Sequence, residues 1–163
     1  MSSGVSQMKE GKMKMVRALF MVCVLFTFSI AHGFDYDRYK QGDIDSLMQL
    51  PKAEEGVRVV APQKLRFQVV LSEYGQTCDT AFLKKAMIMV GAPKDVVERM
   101  KISKCITVKT AKGTTVSLFI QDQVSEYLPR EIRPGERIEI FCDYLYIGKT
   151  GPGILVNEFQ KIK

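Results

Sequence analysis

Residues 133–160, RPGERIEIFCDYLYIGKTGPGILVNEFQ, set two apolar runs on either side of Gly-Lys-Thr-Gly-Pro-Gly. Ile, Val, Phe and Tyr fit a pleated surface, and glycine supplies the backbone freedom of a turn, so the pattern predicts a β-hairpin. The same break contains the GKT triplet of a phosphate loop. That motif requires GxxxxGK[ST] between a strand and a helix, with backbone N–H groups converging on phosphate. Asp143 stands where the first glycine belongs, an apolar strand follows, and Pro152 removes one donor. A hairpin over residues 137–147 and 154–159 is therefore expected.

Upstream, Leu65, Phe67, Val69 and Leu71 alternate with Lys64, Arg66, Gln68 and Ser72, the period of a half-buried strand, which Gly75 is expected to end. A helical stretch follows: Asp79 can cap it, and Phe82, Leu83, Ala86, Met87 and Val90 recur at spacings of three and four. Met87 and Met89 read as core filler rather than as a metal or cofactor site. Gly91 is placed to stop the helix, and Pro93 to open a second one through Met100. Two strands come next, with Ile106 and Val108 on one face, a turn at Ala111-Lys112-Gly113, and Val116, Leu118 and Ile120 inward. Residues 121–128 predict a short helix capped at Asp122 and ended by Pro129.

The expected order is strand, helical insertion, two strands, short helix, two strands; five strands with a helix between the third and fourth match the OB-fold, a small, partly open Greek-key barrel, and the insertion departs from it. Residues 57–159 resemble the OB-fold superfamily, specifically small exported bacterial OB-like proteins, with PGERIEIFCDYLY and GILVNEF as the last two strands. The resemblance implies a mainly β barrel with a helical insertion at residues 79–100, longer than the usual first connection. The alternative is an α+β sandwich whose helices cover an open antiparallel sheet.

The head of the chain carries a different signal. ALFMVCVLFTFSIA, residues 18–31, is uncharged, follows Lys12, Lys14 and Arg17, and ends at Ala31-His32-Gly33. Basic head, apolar middle and small-residue exit are the layout of a secretory signal cleaved after Gly33, and the run is shorter than the roughly 20 residues a span needs. Met13 offers an alternative start. No cysteine stands at the exit, which argues against lipoprotein processing. Residues 34–56, polar and poor in apolar pattern, are expected to form mainly a flexible arm, with room for a short helix over residues 43–50, ahead of a domain over residues 57–163.

Removal of residues 1–33 leaves 20 basic against 17 acidic residues, a net charge near +3 instead of +6. That is a weak electrostatic footprint for nucleic acid. The only histidine, His32, also goes. A chain without histidine cannot run a Ser-His or Cys-His nucleophile or a His-ligated zinc site. Glu136, Glu139, Asp143, Arg133 and Arg137 do not match the acidic and arginine motifs of thermonuclease-like barrels and read as a solvated strand face. Neither catalysis nor a cofactor is expected.

Cys78, Cys105 and Cys142 remain, enough for one bridge in an oxidising compartment. Cys142 shares parity with Ile138 and Ile140 and should face inward. Cys105 has the opposite parity from Ile106 and should face outward. A Cys78–Cys105 bridge would pin the helical insertion to the outside of the sheet, contributing about 3 kcal/mol in the chain-entropy model.

The resemblance to OB-folds places a binding face on the second and third strands of the barrel, here Thr107, Lys109, Thr115, Ser117 and Phe119, with Lys149 from a flanking loop. Single-stranded nucleic acid would need several aromatic platforms there, and Phe119 is the clear one; Tyr144 and Tyr146 share the parity of Cys142. The expected role is a non-enzymatic module binding another envelope protein, with no membrane span in the mature chain. An oligonucleotide or acidic glycan is the alternative partner, supported by Lys104, Lys109, Lys112 and Lys149.

Overall fold

The computed structural model describes residues 34–54 and 56–162, so the expected signal segment lies outside the described residues. A compact unit begins at Phe34. After a 3-10 turn at Tyr36–Arg38 come β1 (Lys40–Gln41), α1 (Ile44–Met48), β2 (Val57–Thr77), α2 (Ala81–Met89) and α3 (Lys94–Arg99). Then follow β3 (Lys104–Lys109), β4 (Thr115–Ile120), α4 (Asp122–Glu131), β5 (Arg137–Gly148) and β6 (Gly151–Lys161).

The fold is mainly β: one six-stranded mixed sheet in the order β1-β2-β3-β4-β6-β5, with β2 also paired to β5. β2 is long enough to serve two neighbours. Its first part runs antiparallel to β5, from Val57↔Gly148 to Val70↔Arg137, and its last part antiparallel to β3, from Val70↔Lys109 to Thr77↔Lys104. Five strands thereby lead back to β2 in a partial ring. The β4–β6 contact is the short link in it, parallel and confined to Phe119↔Leu155 and Ile120↔Val156.

β2 starts earlier and ends later than its alternation suggests, and two residues that normally punctuate strands lie inside it. Pro62 sits in the register shift between Val59 and Gln63, where the ladder is already interrupted and a missing N–H costs little. Gly75 falls in the shift between Glu73 and Gln76, and a β-carbon there would collide with the Ser125 hydroxyl of α4. It admits a close helix instead of stopping the strand. Pro129, likewise, lies within α4, near its end. Asp122 does not cap that helix: its carboxylate accepts from the Ser103 N–H at 2.8 Å and hydroxyl at 2.9 Å, tying the helix start to the approach of β3.

The closing hairpin is present and tighter than expected. β5 and β6 pair antiparallel from Ile138↔Lys161 to Gly148↔Gly151, leaving Lys149-Thr150 as the whole turn. Gly151 adopts φ +126°, a conformation that other residues rarely take.

Inside the ring, Phe67, Val69, Leu71, Ile106, Val108, Leu118, Ile120, Ile138 and Ile140 form the main core, joined by Val124 and Leu128 of α4 and Ile44 of α1. Burying one such large side chain contributes about 1.5–3 kcal/mol. Cys142 lies in this core as a free thiol, and burial holds its pKa well above the ordinary value. It is inert packing material. A second cluster lies outside the ring, where Leu83, Ala86, Met87, Val97 and Ile102 pack on Leu145, Tyr146 and Leu155. Met87 is the core filler the spacing predicts. Met89 is not: it is 61% exposed.

Two further expectations are corrected. Of the arm expected over residues 34–56, residues 34–50 pack on the domain instead of preceding it. Lys40 and Gln41 pair parallel with Leu65 and Arg66, α1 delivers Ile44 to the main core, and Tyr39 is buried. Phe34, Tyr36 and Tyr39 close over Phe141, with ring centroids 5.8, 4.8 and 5.6 Å from it. The parity of Tyr146 also flips. A register shift between Tyr144 and Tyr146 turns Tyr146 outward to the second cluster, while Tyr144 stays in the main core.

Candidate functional site

β3 and β4 form a regular antiparallel hairpin whose turn is closed by the Thr110 N–H to the Thr114 carbonyl, with Gly113 at φ +82°. Its register fixes the outer face row by row: Cys105 opposite Phe119, Thr107 opposite Ser117, Lys109 opposite Thr115. The five strand residues singled out in the sequence therefore share one face, because Ile106, Val108, Val116, Leu118 and Ile120 take the other into the core. Thr107 is engaged, its hydroxyl donating to Glu73 Oε2 at 3.2 Å.

The turn between β5 and β6 comes to the same place. A groove of about 270 Å³ is lined by Thr115, Ser117 and Phe119 on one side and by Tyr146, Thr150 and Pro152 on the other, with Met48 of α1 also in its wall. Lys149 is exposed in that turn but is not one of the lining residues. Tyr146 holds its position because Gly153 lies directly opposite: a β-carbon there would collide with the ring. Phe82 meets that ring edge-on at 4.9 Å. Burial raises the Tyr146 pKa, with a smaller push from Asp79, so the hydroxyl stays protonated as a potential donor. Phe119 is half-buried against the second cluster, so its main work is packing, and it also lines the groove.

Met48 and Tyr146 were not legible as groove residues. Met48 belongs to a segment with too few apolar residues for a strong signal, although Asp43 followed by Ile44, Leu47 and Met48 is the start of a capped amphipathic turn. Tyr146 needed the register shift in β5, which leaves no mark in the sequence.

The disulfide joins Cys78 to Cys105, as the parity argument expects, with Cα atoms 5.8 Å apart. It fastens the chain just ahead of α2 to the outer face of β3. The helical insertion is thus anchored beside the groove both covalently and through its apolar cluster.

The lysines do not form one patch. Lys104 and Lys109 stand at opposite ends of β3, about 17 Å of strand apart. Lys104 has the parity of Ile106, and its stem lies by Gly75, toward α4. Lys109 lies on the outer face with Thr115.

A separate polar group sits where residues 34–50 meet β5. Lys64 Nζ lies 3.2 Å from Asp143 Oδ1 and donates to the Tyr39 hydroxyl at 3.4 Å, which also receives Asn157 Nδ2 at 3.3 Å. Burial opposes the Lys64 charge, but Asp143 and Tyr39 together outweigh it and raise its pKa. The Tyr39 pKa is raised chiefly by burial. Both groups keep their protons at neutral pH, and the set acts as a clasp. Among the described residues, no group of three or more His, Cys, Asp or Glu is placed to hold a metal ion, and no helix is long and apolar enough to cross a membrane.

No protein-family model, curated protein or solved structure matches this chain.

Proposed function

We propose that this chain is an exported OB-fold-like module that docks on another protein of the cell envelope and carries out no reaction of its own. The OB-like barrel is supported by the return of β2 to β5 and by the place of α4 between β4 and β5. Export, to the periplasm or beyond the cell, is supported by the basic and apolar layout of residues 1–33 and by a disulfide that an oxidising compartment preserves.

The observation that carries the partner reading is the surface of the helical insertion. Of the six large apolar side chains exposed among the described residues, Ile88, Met89 and Val96 lie on α2 and α3. Single exposed apolar residues are ordinary, but three on one short helical pair fastened to the sheet by a disulfide favour a protein partner. A flexible methionine adapts to such an interface. The anionic-polymer alternative has weaker support, since the lysines invoked for it are spread over different faces and ends of the sheet.

Crosslinking in intact envelope, with the mature protein as bait and adducts identified by mass spectrometry, tests this. A reproducible protein adduct that disappears in the Met89→Glu/Val96→Glu variant is expected. Both positions are exposed, so the variant should keep its far-UV spectrum. Absence of any protein adduct, together with salt-sensitive retention on oligonucleotide or acidic glycan, would overturn it in favour of polymer binding.

A further inference from the structure

At Val70, β2 passes from one neighbour to the other, and this residue is the Cα partner of Lys109 on β3 and of Arg137 on β5 at once. Directly opposed residues on adjacent strands project to the same face, so the two cations flank Val70 in one transverse row. Strand spacing puts their Cα atoms about 10 Å apart, a gap that two long basic side chains can close over a single carboxylate. Both residues are exposed and line a groove of about 360 Å³ with Gln68, Val69, Thr110 and Ala111.

No acidic residue lines this groove, and among the described residues neither cation has an ion-pair partner. None of the nearby acids pairs with them. Asp45 is buried and accepts from the Thr110 hydroxyl at 2.6 Å and the Lys112 N–H at 3.3 Å. Glu136 pairs with Lys161 at 2.9 Å, and Glu139 has its carboxylate toward Arg66, 4.0 Å away. Arg137 donates through Nη2 to Gln68 Oε1 at 3.2 Å, which fixes one edge of the guanidinium. Its remaining donors suit a planar carboxylate.

We propose that Lys109 and Arg137 form a carboxylate-binding site for an acidic peptide segment of the protein partner. The site lies on a different part of the molecule from the helical insertion, and the assignment rests on the protein-partner reading. A lone cation pair over an apolar floor matches one carboxylate, with only the neighbouring polar side chains to add specificity.

The test is a titration of the mature protein at low salt with a blocked oligoglutamate peptide, followed by amide resonances, with inorganic phosphate as a parallel arm. Shifts at Val70, Lys109, Thr110 and Arg137 are expected. Affinity should fall about tenfold in Lys109→Ala and in Arg137→Ala, as loss of a charge-assisted hydrogen bond implies. Lys112→Ala removes an equal charge nearby and should leave affinity within about twofold of the parent, since its side chain lies outside the groove. Shifts that persist in the double variant, or an equal loss in Lys112→Ala, would overturn the site. Tight binding of phosphate with none of the peptide would overturn the carboxylate assignment. If envelope crosslinking recovers the same partner equally well with Lys109→Ala/Arg137→Ala, this site is wrong while the partner reading stands.

Discussion

Two segments clothe the outer face of the same strand, β5, and they are held by different means. Residues 34–50 cover Phe141 with three aromatic rings and are clasped by Lys64, Asp143 and Asn157. The helical insertion covers Leu145 and Tyr146 with apolar side chains, Phe82 the one aromatic among them, and is fastened by the Cys78–Cys105 disulfide. One cover is noncovalent and rich in hydroxyls and charges; the other is apolar and stapled. The difference teaches that a strand buried on both faces need not lie in a layered α/β fold. Here it is an ordinary antiparallel strand over which the rest of the chain has been laid in two pieces.

The sharpest way to break that comparison is to remove what the first segment covers. Phe141 is 1% exposed, and Phe141→Ala should cost about 3–5 kcal/mol in denaturant-induced unfolding. Exchange protection at Tyr39 and Gly42 should fall further than at Leu83 or Ala86. A loss below about 1 kcal/mol would mean that the aromatic rings do not close over Phe141 in solution.

The stapled segment should respond next most strongly. Replacing both partners, Cys78→Ser/Cys105→Ser, opens a loop spanning 27 residues and should cost about 3 kcal/mol. Amide exchange is expected to rise first in α2 and α3, with Ile106 and Leu118 retaining protection up to the new global stability. If strands and helices lose protection together, the insertion is part of the ring's cooperative unit and the contrast between the two covers disappears.

The unequal legibility of the two segments follows from the same physics. The ring strands announce themselves because one face of each is buried: Leu65 to Leu71 and Val116 to Ile120 alternate, and the same parity, counted from Ile106 in β3 and from Ile138 and Ile140 in β5, predicts Cys105 outward and Cys142 inward. The insertion is legible because Leu83, Ala86 and Met87 repeat at helical spacing on one face. Within residues 34–50 only Ile44, Leu47 and Met48 keep a helical spacing, over barely one turn. The rings of Phe34, Tyr36 and Tyr39 follow no period, and their partners, Phe141 and Asn157, are more than a hundred residues away in the chain. The outer-face row of Thr107, Lys109, Thr115, Ser117 and Phe119 follows from parity alone, whereas Met48 and Tyr146 reach the groove through a packed segment and a strand irregularity. The Lys109–Arg137 row depends on β2 serving two neighbours, and no local pattern encodes that.

A smaller effect probes the polar side of the first segment. Asp45 is a buried carboxylate holding the turn after β3 through Thr110 and Lys112, so Asp45→Ala leaves a buried hydroxyl and an N–H short of a partner. The expected cost is about 1–3 kcal/mol, read from denaturation midpoints, with Asp45→Asn recovering part of it because its amide oxygen can still accept. The disulfide remains intact in both variants, so α2 and α3 should keep their protection relative to the ring. A loss that spread equally to α2 would show that the two covers support each other.

The smallest expected effect is a pH dependence confined to one cover. Asp43 caps α1, accepting from the Ser46 hydroxyl at 2.6 Å and the Asp45 N–H at 2.9 Å. The Ser46 hydroxyl, aided by that N–H, holds its pKa below the ordinary value. A carboxyl lowered in the folded state favours folding above its unfolded value of about 4, and this contribution fades as the pH falls through the folded value. Exchange at Leu47 should therefore be flat from neutral pH to about 4, once corrected for the intrinsic rate, and rise below that, while Asp43→Asn should flatten this acid limb. The staple on the other cover carries no proton and supplies no such limb. Glu136 is lowered too, by the Arg133 N–H and Lys161, but it ties the start of β5 to the end of β6 and acts on neither cover. An acid limb at Leu47 that survives Asp43→Asn would transfer the pH dependence to the sheet and remove this distinction between the two covers.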